Sequence, residues 1–242
     1  MAGSTGMTRH AIWGGCLAAT AARTLVAVAV LAATEMPPPG NPAWKPLHFR
    51  SVDRHTQYTP VERDEERWLS ADSDCSASAL HLPLGEIDLA QTPVLRWRWR
   101  VDDPLEIDDE RSKPGDDFAA RVYVLFPFES EHSSIVSRLQ RGIVRALYQR
   151  EPPGTALTFV WSSSEPLGAK WINPHTDDTH MRVLGTGSGG QWQRASVDIP
   201  AEYVAAFGRA PQNPVGLALM TDSDDSCQHA AARFADFHFA AH

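Results

Sequence analysis

The sequence predicts an all-β fold, an antiparallel β-sandwich with one or two short helices. Three observations predict it. From residue 56 onward, apolar and polar side chains alternate with a period of two. The alternating runs are short. Clusters of Gly, Pro and Asp separate them. At 242 residues, with 43% apolar and 21% charged side chains, the chain is long enough for one domain with a self-sufficient core.

Ten runs read as strands: 57–63, 67–70, 77–82, 94–101, 118–126, 156–162, 181–184, 192–199, 215–221 and 231–239. VLRWRWRV shows the logic. Leu95, Trp97, Trp99 and Val101 share one face, and Arg96, Arg98 and Arg100 share the other. The tryptophans belong to a core, where each buries about 150–250 Å2, and the arginines form a cationic stripe. In FAARVYVLF, Phe118, Ala120, Val122, Val124 and Phe126 oppose Arg121 and Tyr123. In RFADFHF, Phe237 and Phe239 oppose Asp236 and His238. Two helices interrupt the pattern. Residues 133–150 carry Ile135, Leu139, Ile143 and Leu147 at helical spacing, with Arg138, Arg141 and Arg145 on the remaining surface. AEYVAAFG follows Pro200 and stops at Gly208, the usual helix punctuation.

Residues 1–36 read as a targeting segment: Arg9 and His10, an apolar stretch, and small residues suited to cleavage near Ala32 or Ala33. The rival is an uncleaved anchor over 11–33, which would place Arg23 mid-bilayer at about 2.5–3.5 kcal/mol. Either way, contact with membrane is confined to this segment. Residues 37–46 are a Pro-rich linker, and 47–242 form the sandwich domain. A periplasmic or secreted location follows. Beyond residue 36 two cysteines remain, Cys75 and Cys227, and an oxidising compartment invites one disulfide between them. The net charge of −8 offers no basic surface to a phosphate backbone, which argues against a nucleic-acid partner.

Several motifs invite chemistry. GTGSGG at 185–190 matches a dinucleotide fingerprint in letters, but a strand pattern follows it where a helix must, so it reads as a glycine hairpin. DSDDS at 222–226 places Asp222 and Asp224 as calcium-loop ligands do. Cys227 stands where a turning Gly belongs and Arg233 where a bidentate Glu belongs, which excludes an EF-hand. A calcium site drawn from several loops and a plain Asp/Ser turn both stay open. KPGDDF sets Asp116 and Asp117 just before a strand, where they could meet the 222–225 loop at the rim of the sandwich. NPHTDDTH, with His175 and His180, reads as a polar loop.

The segments KPGDDFAARVYVLF, FVW at 159–161, INP at 172–174, GQW at 190–192, and GLALMTDSDDS leading to FADFHF resemble a bacterial family, domain of unknown function 3047, over about residues 47–240. The resemblance implies an exported β-sandwich of the jelly-roll or galactose-binding-like kind, with no assigned activity. The stretch near 133–150 and Cys227 depart from it.

The function expected is non-catalytic binding of a small polar ligand, a cell-envelope carbohydrate first. Asp116, Asp117, Arg121, Tyr123, Trp161, Asn173, Asp222, Asp224 and Asp236 are the candidate contacts. Trp161, Trp171 or Trp192 would be the aromatic platform. Calcium is the one cofactor considered. The alternatives are a hydrolase or lyase using the 116/117/222/224 carboxylates, and a structural envelope module.

Overall fold

Alternation of apolar and charged side chains builds two sheets, each hiding one face against the other. This computed structural model describes residues 1–3, 33–129, 154–187 and 189–242. The chain divides into a unit Met1–Val30 and a unit Leu31–His242, and the strands and the helix all belong to the second. The helix expected at 133–150 and residues 4–32 of the expected leader lie outside the described residues.

The strands are β1 (Ala33–Glu35), β2 (Lys45–Leu47), β3 (Gln57–Arg63), β4 (Glu66–Asp74), β5 (Ala77–Pro83), β6 (Val94–Asp103), β7 (Ala120–Leu125), β8 (Ala156–Ser162), β9 (Lys170–Ile172), β10 (Thr179–Thr186), β11 (Gln193–Asp198), β12 (Gly216–Asp222) and β13 (His229–Ala240), with helix α1 (Ile199–Phe207) between β11 and β12. One sheet runs β11-β6-β13-β4-β3, with β1 also on β13. The other runs β2-β5-β12-β7-β8-β10-β9. The β-sandwich read from the sequence holds. Its pairs are antiparallel except β8 with β10, which run parallel because β9 occupies the edge beyond β10.

The core lies between the sheets and is aromatic. Trp97 stacks on Phe237 at 6.1 Å, and Trp99 meets Trp161 edge-on at 5.8 Å. Trp161 is 3% exposed, and Gly185 leaves room for it, since a Cβ there would sit 2.4 Å from its ring. Along β6, Trp97, Trp99 and Val101 are buried, while Arg96, Arg98 and Arg100 are partly exposed on the outer face.

Three expectations need correction. Phe118 is outside β7 and packs with Val160, Met181 and Val183 on the outer face of the seven-stranded sheet, not in the main core. GTGSGG is no hairpin, because β10 and β11 lie in different sheets. The run carries the chain across, with Gly189 at φ +73 pressed against the Val101 carbonyl. The sandwich also starts before residue 47: β1 pairs with β13, and Trp44 of the expected linker is a core residue. Phe237 and Phe239 are buried opposite Asp236 and His238 as expected, and β13 bulges. Ala235 opposes Arg98 and His238 opposes Arg96, so three steps on β13 match two on β6. That insertion lets Phe234 and Phe237 both reach the core.

Helix α1 is as punctuated: the Asp198 carboxylate accepts from the Ala201 N–H at 2.8 Å, and Gly208 closes the helix at φ 71. Cys75 and Cys227 form the expected disulfide.

Candidate functional site

Two constellations stand on opposite faces of the sandwich. The first is at one end of the outer face of the seven-stranded sheet, where KPGDDF, INP and MTDSDD converge. β7 presents Arg121 and the neighbouring β12 ends in Asp222. Arg121 Nε donates to Asp222 Oδ1 at 2.8 Å, and its Nη2 reaches Asp222 Oδ2, a two-pronged pair. Its Nη1 donates to Asp116 Oδ1 at 3.2 Å, its Nη2 also meets the Asp116 carbonyl, and the guanidinium lies 4.5 Å over the Phe118 ring. Asn173 Nδ2 donates to Asp116 Oδ2 at 3.1 Å. The Asp117 carboxylate accepts from the backbone N–H groups of Asp225 and Ser226, at 3.4 and 2.6 Å. These bonds tie three loops to the sheet.

Arg121 is 3% exposed, Asp222 2% and Asp117 0%. Arg121 was expected on a solvated face. It is on the outer face, but the 113–118, 173–175 and 222–226 loops roof it. Burial works against its charge, and the fields of Asp222, Tyr123 and Asp116 outweigh that and push its pKa above the ordinary guanidinium range. Tyr123 lies beside it, its phenol pushed up to about 12 by burial. Carboxylate oxygens of Asp117, Asp222 and Asp224 all lie within 4.8 Å of one another, close enough for one divalent cation to meet all three. His175, half exposed, places Nε2 3.7 Å from Asp116 Oδ2. The two acidic loops therefore meet, as carboxylate chemistry would require. Asp222, however, is locked to Arg121, and Asp116 and Asp117 are buried.

Asp224 and Asp225 carry the surplus negative charge. Burial first, then the Asp117 carboxylate, raises both above the usual 3.8. A carboxyl raised in the folded state binds its proton more tightly there than in the unfolded chain. Its contribution to stability is full below the usual carboxylate range and is lost as pH rises through the folded value. Asp224→Asn is therefore expected to gain melting temperature over the parent, by a few degrees, as pH rises from about 4 to about 7. Thermal melts at low salt measure this, and a difference that is flat with pH would contradict it.

The other two expected contacts lie elsewhere. Trp161 is sealed between the sheets, which removes it as a platform. Its parity with Leu157 and Phe159 in ALTFVWS already carried that signal. Trp171 packs on Phe118, at 6.3 Å. Asp236 belongs to the second constellation, on the outer face of the six-stranded sheet.

That face carries Trp68 from β4 and Trp192 just before β11, both half-buried, edge to face at 6.5 Å. Arg98 stacks 4.6 Å from the centre of the Trp192 ring, and Arg233 5.4 Å from that of Trp68. Arg98 also binds Asp236 Oδ2 at 2.5 Å and Glu66 Oε1 at 3.3 Å. Beside them opens a hollow of about 420 Å3 lined by Glu35, Met36, Pro38, Glu65, Glu66, Arg67, Arg98, Asp236 and Phe237. Its origin is a gap in pairing. On one edge of β13, β4 pairs with 229–234 and β1 with 238–240, and the Phe237 carbonyl accepts from the Met36 N–H at 3.1 Å, so residues 235–236 face no strand there. The tryptophan at 68 shares its strand face with Ser70 and Asp72, a large aromatic on a polar face, and that signal was missed. Glu35 could not have been found, since it falls in the expected leader.

The family model for proteins of unknown function DUF3047 matches residues 42–238. The chain belongs to the DUF3047 family. The match takes in both constellations except Glu35, Met36 and Pro38 of the hollow. No curated protein matches this DUF3047 chain. Among solved structures it is similar to a family 11 carbohydrate-binding module from Clostridium thermocellum, in complex with a β-1,3-1,4-mixed-linked tetrasaccharide, at 4% identity and TM-score 0.41, over 86% of this chain and 94% of that one. It is also similar to a thermostable variant of the Cel12A cellulase of Rhodothermus marinus, at 10% identity and TM-score 0.42, over 87% and 100%. A third is endoglucanase 3 of Trichoderma harzianum, from family GH12, at 8% identity and TM-score 0.38, over 88% and 98%. At these identities and scores the likeness carries no weight for function.

Proposed function

We propose that the chain is an exported, non-catalytic ligand-binding β-sandwich that holds carbohydrate of the cell envelope on the outer face of its six-stranded sheet. The observation that carries this reading is the pair Trp68 and Trp192 beside a hollow walled by Arg98, Glu66 and Asp236. A sugar offers an apolar C–H face and a ring of hydroxyls. The first packs on an aromatic plane, and the second needs directional donors and acceptors close by. A guanidinium clamped by two carboxylates presents both, already oriented. The hollow falls in the size range of small-ligand sites. Export is supported by the signal-like N-terminal sequence and by the disulfide. Among the described residues no helix is long and apolar enough to cross a membrane.

Calorimetry against cell-envelope and plant-wall oligosaccharides tests the reading. At least one is expected to bind. Trp192→Ala and Trp68→Ala are each expected to weaken that binding about tenfold or more. Absence of binding across the panel, or binding indifferent to both tryptophans, would reject it.

A further inference from the structure

We infer that the site takes one terminal ring of a soluble glycan, and neither the flank of a long chain nor a flat polysaccharide surface; the inference rests on the carbohydrate reading above. The tryptophans set the first limit. A platform for a ribbon of sugars needs aromatic planes close to parallel, so that successive sugar rings lie flat on successive indoles. The planes of Trp68 and Trp192 instead cross at 73°, with centroids 6.5 Å apart. No flat strip of sugar rests face-down on both. A guanidinium also covers one face of each indole, Arg98 over Trp192 and Arg233 over Trp68. Both guanidinium groups are tethered. Arg98 is held by Asp236 and Glu66, and Arg233 Nε donates to Asp102 Oδ2 at 2.5 Å. What remains is a corner, where one sugar ring stacks on one indole and meets the other at an angle.

The hollow sets the second limit. On the edge of β13 where residues 235–236 are unpaired, β4 stands on one side of the gap and β1 on the other. Met36 and Pro38, just beyond β1, wall one side, and Glu65 in the β3–β4 turn walls another, with Asp236 and Phe237 between. The hollow is thus stopped in both directions along the strand. A chain end enters such a recess from solvent, whereas the middle of a chain needs two ways out. At about 420 Å3 it lies toward the small end of the range of ligand sites, about 300–1,000 Å3. Arg98 joins the two features, since it covers Trp192 and lines the hollow. A terminal ring against Trp192 therefore turns its end hydroxyls toward Arg98 and Asp236.

The test titrates soluble oligomers of one to six units into the full chain by calorimetry, for each sugar of the panel above, with β-1,4-linked glucose and β-1,4-linked N-acetylglucosamine series included. Affinity is expected to level off by two units, the hexamer binding within about twofold of the dimer. A rise of about tenfold or more from dimer to hexamer overturns the inference and leaves the carbohydrate reading standing, because each added ring would then find a platform of its own. A long, unbranched, soluble polymer of the same sugar is expected to bind one protein per chain. Saturation by many proteins along each chain overturns the inference in the same way. Crystalline cellulose and chitin powders are expected to leave the protein in solution, and depletion that is lost in Trp192→Ala counts against it equally. If no sugar of any series binds, both readings fail.

Discussion

Arg121→Ala is expected to lower the unfolding free energy by about 3–5 kcal/mol, among the largest effects of any single substitution in this protein. The guanidinium makes bonds to Asp222, to the Asp116 side chain and to the Asp116 carbonyl, inside a site where it is 3% exposed. Removing it leaves the Asp222 carboxylate, 2% exposed, with one backbone partner, the Phe118 N–H at 3.4 Å. A charge stranded in that way costs more than the pair contributed. Arg121→Lys is expected to rescue little, since an ammonium cannot replace a planar fork with bonds in two directions. Arg121→Met/Asp222→Leu, which removes both charges, is expected to recover most of the loss. Urea unfolding at neutral pH measures all three. If Arg121→Ala unfolds at the parent's midpoint, the guanidinium does not hold these loops. Sugar binding on the opposite face should persist in every variant that folds, which separates the structural role of Arg121 from recognition.

Loss of the Cys75–Cys227 bond is the second large effect. The bond closes a separation of 152 residues, for which chain entropy sets a ceiling of about 5 kcal/mol, and 2–5 kcal/mol is the usual measured range. Its position adds to this. Cys75 sits in the turn from β4 to β5, and Cys227 in the loop from β12 to β13. Each of those connections crosses from one sheet to the other. The crossing points are further joined by Cys75 N to the Gln228 carbonyl at 3.0 Å and Ser73 Oγ to Ser223 Oγ at 2.9 Å. Cys75→Ser/Cys227→Ser is expected to unfold at clearly lower urea, and the amides of Asp225 and Ser226 to exchange faster, since their bonds to Asp117 depend on the same loop. Equal midpoints with and without reductant would contradict this.

The sheets were legible because a strand buried on one face must alternate, and β6 and β7 do so in sequence over six residues or more. Strands of three residues show no period, so β1, β2 and β9 were invisible. Alternation also fails at a bulge. It places Phe234 with Asp236 and opposite Phe237, whereas both rings are in the core and Asp236 takes a left-handed backbone. Strand-end placement anticipated that Asp116 would meet the 222–225 stretch, but no local pattern encodes that Asn173 joins them or that Arg121 closes the cluster. Nor does parity say whether an outer face is open or roofed. It placed Arg121 and Arg98 alike, yet loops cover the first and leave the second partly exposed.

The break in the ladder of β13 has a dynamic consequence. Asp236 has no strand neighbour on either side, although β13 runs through the interior of its sheet and the next carbonyl, of Phe237, accepts from the Met36 N–H at 3.1 Å. Such a point opens locally without melting the strand, so its amide should trade protons with solvent orders of magnitude faster than those of Ala232 or Phe234 nearby. Whatever settles over that soft spot would slow the exchange there, and the strand itself would then report occupancy.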